Sequence, residues 1–155
     1  MKLYLVQHGE ALAKDVDPDR PLSPGGEKDV RNMAGFLQAA GVGVDRVLHS
    51  GKLRARQSAA ILAEALLIHG DAEAIDGLGP NDPVEDFSIE VHKFKQDTMV
   101  VGHLPFMARM VSRLVNGQGE PAIVDYKPGS VVCLEQDGEE HWCIQWMLRP
   151  DLLAG

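Results

Sequence analysis

The chain has 155 residues, 45% of them hydrophobic and 25% charged, a balance that fits a water-soluble globular domain with a substantial core. Its 23 acidic and 15 basic side chains give a formal net charge of −8, which argues against a nucleic-acid or anionic-membrane partner. No apolar run approaches the roughly 18 residues of a membrane span, and the opening Met1-Lys2-Leu3-Tyr4-Leu5-Val6 reaches Gln7-His8 too soon for a secretory leader, so a cytoplasmic protein is expected.

Leu3, Tyr4, Leu5 and Val6 are apolar without alternation, as in a strand buried on both faces. The run stops at Gln7-His8-Gly9-Glu10. An imidazole there stands at the edge of a sheet, where open α/β sheets hold their chemistry. Gly9 lets the backbone turn and leaves no Cβ to hinder a ligand. A polar loop over residues 11–22 follows. Ser23-Pro24 then predicts a helix start, with Ser23 as N-cap. Val30, Met33, Ala34, Leu37 and Ala40 form its apolar stripe, and Gly41 ends it.

Arg46-Val47-Leu48-His49 reads as a second strand, and Ser50-Gly51 introduces an alanine-rich helix over about residues 52–68. A short strand is expected at 74–75, a Gly/Pro/Asn/Asp loop at 77–83 and a helix at 84–95. Thr98-Met99-Val100-Val101-Gly102 is another apolar strand, and it ends at His103. A helix over about 105–115 and a loop over 119–127 come next. The tail alternates around an Asp137-Gly138 turn, with Trp142, Ile144, Trp146 and Leu148 on one face, which predicts an antiparallel hairpin. Cys133 and Cys143 flank that turn nearly opposite each other. Buried, reduced thiols are expected there, and without a CxxC they make no zinc site. The order of elements predicts one α/β domain over residues 1–155, with three α/β/α layers and a mainly parallel sheet carrying an antiparallel edge hairpin.

Three of the strands end in candidate reactive groups: His8; His49-Ser50 with Arg54 just beyond; and His103. Parallel strands bring those ends to one edge of the sheet. Two imidazoles, a guanidinium and two helix N-termini together describe a site for a phosphate-like oxyanion. His49 is read as structural. His69, His92 and His141 are read as surface residues.

Gln7-His8-Gly9-Glu10 resembles the Arg-His-Gly motif of the histidine phosphatase superfamily, which includes the phosphoglycerate mutases. Ser50-Gly51-Lys52-Leu53-Arg54-Ala55-Arg56-Gln57-Ser58 resembles its Ser-Pro-x-x-Arg-Ala-x-Gln-Thr, and Gly102-His103-Leu104-Pro105 its later Gly/Ser-His motif. Arg20-Pro21-Leu22-Ser23 and the Leu-Pro after His103 are most similar to the small bacterial phosphohistidine phosphatases of the SixA type. The resemblance implies a phosphoglycerate mutase-like fold and a phosphatase that works through a phosphohistidine on His8. Arg54 would bind the phosphoryl oxygens, and His103 would donate to them. Glu10 would orient His8 or manage protons. The general acid has no clear motif match, and Asn81-Asp82-Pro83 and Glu85 supply candidates, Asp82 among them.

Two positions depart from the pattern. Gln7 replaces an arginine, and losing that charged contact costs on the order of 2–4 kcal/mol of transition-state stabilisation unless it is replaced. Arg20 is the expected replacement, which makes Gln7, Arg20, Arg54 and His103 the phosphate-binding set. Gly51 replaces a proline, a milder change. The expected partner is a phosphorylated protein, such as a histidine phosphotransfer domain, or a small phosphorylated substrate; no cofactor and no metal are expected. Two other readings stand beside this one: a phosphoryl-binding module without turnover, and a metal hydrolase using His8, His49, His103 and Glu10.

Overall fold

The computed structural model describes residues 1–138 and 140–153. Its centre is the strand Lys2–Gln7 (β1), in which Leu3, Leu5 and Val6 are buried. Each such side chain contributes about 1.5–3 kcal/mol of hydrophobic stabilisation. The other elements, in chain order, are Pro24–Ala39 (α1), Arg46–His49 (β2), Leu53–Leu66 (α2), Glu73–Ala74 (β3), Val84–His92 (α3), Thr98–Gly102 (β4), Phe106–Asn116 (α4), Val131–Gln136 (β5) and Trp142–Leu148 (β6), followed by a short 3₁₀ turn at Pro150–Leu152. No helix is long and apolar enough to cross a membrane among the described residues.

One sheet has the order β3-β2-β4-β1-β5-β6. The first four run parallel, and β5 and β6 add an antiparallel edge. Tyr4 and Val6 pack under α1 and α2, while Leu3 and Leu5 pack under α3 and α4. The two faces of β1 thus feed two separate cores, which explains its unbroken apolar run. This is the predicted three-layer arrangement.

The helix starts and stops have local and tertiary causes. Ser23 Oγ accepts from Gly26 N–H at 2.9 Å and caps α1, and Gly41 leaves it at φ 83°. The second helix is shorter than predicted: Leu67 is extended and bridges Val44, and Ile68 N–H donates to Val44 O at 3.0 Å. That sheet-like pairing draws the chain out of the helix two residues early. The third helix stops at His92, and the Phe94 ring beyond it packs on Phe87 and under the Arg46 guanidinium.

The hairpin forms, but its faces differ from the simple alternation. A bulge between Cys133 and Leu134 pairs Cys133 with Trp146 and Leu134 with Ile144. The extra residue, Gln145, shifts the side-chain parity. Trp142 therefore joins the core under α3 and α4, and Trp146 and Leu148 join the opposite core. The same bulge separates the cysteines. Cys133 is buried opposite Trp146, whereas Cys143 is exposed opposite Glu135, so they are neither paired nor both buried.

Gly26 marks where α1 meets the loop that follows β1. A Cβ there would collide with the Glu10 carbonyl oxygen, a backbone atom with no easy way to yield. Gly26→Ala is expected to lower unfolding free energy by about 1–3 kcal/mol through overpacking. Urea denaturation of both proteins measures it; an unchanged midpoint would show that the loop moves freely.

Candidate active site

The carboxyl ends of β1, β2 and β4 meet at one edge of the sheet. His8 follows β1, where its N–H donates to Gly102 O at 3.0 Å and its carbonyl accepts from Gly129 N–H at 3.1 Å. Its side chain bends back so that Nδ1 lies 2.6 Å from Gly9 O. A carbonyl only accepts, so Nδ1 carries the proton and Nε2 holds the free lone pair. Burial pushes the His8 pKa down to about 4; the Gly9 carbonyl opposes this, and Arg54 and Arg20 reinforce it. The ring is neutral at pH 7, and a neutral imidazole is a nucleophile.

Gly9 serves packing more than ligand access. A Cβ on it would meet Val30 Cγ2 at 2.7 Å and Gly26 O at 3.0 Å, so its bareness lets the loop lie against α1. Its N–H donates to Ser58 Oγ at 3.0 Å, and the Ser58 hydroxyl donates to Arg54 O at 2.8 Å. Gln57 Oε1 accepts from Leu22 N–H at 2.8 Å. The α2 segment therefore ties down both ends of the loop that joins β1 to α1. Ser58 is one turn from Arg54, and that spacing was the available signal for its role.

Arg54 lies half-buried in the first turn of α2, and its Nε is buried without a hydrogen-bond partner. Burial and the nearby Arg20 charge lower its pKa. His103 follows β4 and is 1% exposed. Its ring centroid is 5.0 Å from that of His8, and its Nε2 is 2.6 Å from Ser50 Oγ. Burial lowers its pKa most, then His8, Arg54, Lys52 and Arg20, to about 3. His49, read as structural, accepts from Gly51 N–H through Nδ1 at 3.1 Å. Gly51 has φ 88°, a value closed to proline. Its replacement of the motif proline thus changes the backbone path after β2 and is not the mild change expected.

The remaining sequence candidates divide. Arg20 adopts φ 49°, its Nε donates to Leu12 O at 3.0 Å, and its charge bears on His8, Arg54 and His103. Gln7 is 8% exposed, and its Oε1 is buried without a partner. Glu10 is exposed and accepts from Ser23 Oγ at 2.9 Å, an anchor for the α1 cap. Asp82 accepts from Gly79 N–H at 2.7 Å and lines a groove with Arg109 and Glu120. Among the described residues, no hydrogen bond joins Glu10 or Asp82 to His8, Arg54 or His103. Nor do three His, Cys, Asp or Glu side chains converge as a metal-ligand set among those residues.

One sheet between two layers of helices, with paired imidazoles and arginine charges at its carboxyl edge, is the architecture of the phosphoglycerate mutase-like fold. The family model of the histidine phosphatase superfamily (branch 1) matches residues 3–78. Phosphohistidine phosphatase SixA of Escherichia coli is 28% identical over 97% of this chain and 94% of its own length. An uncharacterised protein of Picosynechococcus sp. is 32% identical over 76% of this chain and 75% of its own. The structure of the protein histidine phosphatase SixA complexed with tungstate superimposes with TM-score 0.89 at 25% identity, covering 99% of this chain and all of that one. The alpha-ribazole phosphatase of Shigella flexneri shares the fold at TM-score 0.76 and 18% identity, with 97% of each chain covered. The chain belongs to the histidine phosphatase superfamily, and with it to proteins of phosphatase activity.

His8 is expected to titrate near pH 4 in NMR spectra of the folded protein. A midpoint near 6.5 would show that burial and the arginines do not act on it. Stability follows the same sign. The folded-state values of both His8 and His103 lie below 6.5, so below pH 6.5 the unfolded chain binds more protons. Unfolding free energy should therefore fall as pH drops from 6.5 through about 4, and less steeply in His8→Asn.

Proposed function

We propose that the chain hydrolyses protein phosphohistidine through a phosphohistidine intermediate on its own His8. The observation that carries this is the His8 ring, whose Nδ1–H is committed to Gly9 O at 2.6 Å while Nε2 is unprotonated beside two arginine charges. In the first step the Nε2 lone pair forms a bond to phosphorus. The bond from phosphorus to the substrate's imidazole nitrogen breaks, and that nitrogen takes up a proton from solvent. In the second step water attacks phosphorus and gives up a proton to solvent, the bond to Nε2 breaks with its electron pair returning to Nε2, and phosphate leaves. Arg54, Arg20 and His103 stabilise the equatorial oxygens in both steps, as fixed positive or N–H donors should.

The substrate class has separate support. An imidazole leaves more readily than an alkoxide, so it needs less of a general acid. Glu10 and Asp82 are engaged with Ser23 and Gly79, which suits a substrate with that modest demand. The relative named as a phosphohistidine phosphatase and the tungstate-bound neighbour point the same way. The positive donors are side chains of the protein, so the proposed reaction is metal-independent. A phosphorylated protein, such as a histidine phosphotransfer domain, is the proposed partner.

A hydrolysis panel of phosphoramidate, a phosphohistidine protein and p-nitrophenyl phosphate tests the reading. The two phosphoramidates should be hydrolysed faster than the ester, with excess EDTA without effect and His8→Ala inactive yet folded. Equal turnover by His8→Ala would sink the mechanism. Activity lost to EDTA and restored by zinc would favour a metal hydrolase. Phosphate binding without turnover would favour a binding module.

Gln7 and Arg20 give opposed outcomes. If Arg20 supplies the charge that Gln7 lacks, Arg20→Ala should lower kcat/KM by roughly 10²-fold, while Gln7→Arg changes little. A large gain from Gln7→Arg with no loss from Arg20→Ala would reverse the assignment.

A further inference from the structure

His103 is neutral at pH 7, because burial and the surrounding charges hold its pKa near 3. A neutral imidazole has one N–H, and the nitrogen that carries it decides which side of the ring can donate. Nε2 faces Ser50 Oγ at 2.6 Å. Nδ1 is buried and has no hydrogen-bond partner among the described residues. Ser50 Oγ also receives Lys52 N–H at 3.3 Å.

A hydroxyl has one donor hydrogen and two acceptor lone pairs. With Lys52 N–H on one lone pair, the Ser50 hydrogen still needs an acceptor, and His103 Nε2 is within reach. An N–H received at the oxygen also polarises the hydroxyl and makes it a stronger donor. The reverse arrangement, with Nε2–H given to Ser50, fills both lone pairs of the oxygen and leaves the Ser50 hydrogen without a protein acceptor among the described residues. It also leaves Nδ1 as a bare lone pair, which repels a phosphoryl oxygen. The strand end is shaped to hold this serine. Gly51 turns at φ 88° and gives its N–H to His49 Nδ1 at 3.1 Å.

We propose that Ser50 is a positioning residue for the reaction: its hydroxyl donates to His103 Nε2 and so keeps the ring proton on Nδ1, ready for a phosphoryl oxygen. The catalytic consequence rests on the phosphoryl-transfer reading above; the tautomer does not. Removing Ser50 would leave the ring in place but free its proton to move to Nε2.

Long-range proton–nitrogen NMR spectra of the 15N-labelled protein report the tautomer directly. The unsubstituted protein should show His103 protonated at Nδ1, with and without vanadate. In Ser50→Ala the Nε2-protonated form should appear, kcat for phosphoramidate should fall roughly 10- to 100-fold, and KM should hold. Ser50→Thr, which keeps the hydroxyl, should restore both. An Nε2-protonated ring in the unsubstituted protein overturns the proposal, as does an Nδ1-protonated ring that persists in a folded Ser50→Ala with unchanged vanadate affinity. A protein that hydrolyses no phosphoramidate would remove the proposed function, while the tautomer and vanadate comparisons would still decide the role of Ser50.

Discussion

The backbone of Gly9 holds the two halves of the site together. Its carbonyl accepts the His8 Nδ1 proton at 2.6 Å, and its N–H reaches Arg54's own helix through Ser58 at 3.0 Å. Its missing side chain lets the loop lie against Val30 and Gly26. One residue therefore sets the orientation of the imidazole and the tautomer that frees Nε2, and ties that loop to the helix that carries the arginine. Each bond is worth only about 0.5–1.5 kcal/mol to the fold. Their value is geometric, because phosphoryl transfer depends on fixed donors more than on covalent help from the protein.

The electrostatics of the edge run against those of the chain as a whole. A chain of net charge −8 gathers Arg20, Lys52 and Arg54 around two imidazoles that burial keeps uncharged. Buried polar atoms normally find partners. Among the described residues four side-chain atoms do not, and Gln7 Oε1, Arg54 Nε and His103 Nδ1 are three of them. All three belong to the strand ends and helix start that frame His8. Leaving such atoms unpaired costs stability, and a site built to grip an oxyanion is where that cost has a use.

The two departures from the family motif look alike in a sequence and differ in physical kind. Gln7 removes a charge at a strand end whose backbone pairs regularly with Gly102 and Ser130. Gly51 alters conformation: at φ 88° the backbone takes a path that proline's ring forbids. The first is an electrostatic change that a distant arginine can offset. The second is local, and its effects fall on Ser50 and His49, its immediate neighbours.

Much of this was legible in the chain. The apolar runs of β1, β2 and β4 ended at His8, His49 and His103, and parallel pairing then required one shared edge. The Ser23 cap and the Gly41 stop also followed from local chemistry, since caps and left-handed turns depend on a few neighbouring residues. Other features depended on contacts between segments far apart in the chain. Val44 drew Leu67 and Ile68 out of α2, and the bulge in the hairpin sent Trp142 and Trp146 to opposite cores and parted the two cysteines. Ser58 bonding to Gly9 and Ser50 to His103 likewise join residues 49 and 53 positions apart. Residue type and spacing determined which groups reach the edge. Which atom each imidazole nitrogen meets was decided only by the folded structure, because the turn of His8 Nδ1 back onto Gly9 O and the reach of His103 Nε2 to Ser50 are side-chain placements that no periodicity encodes.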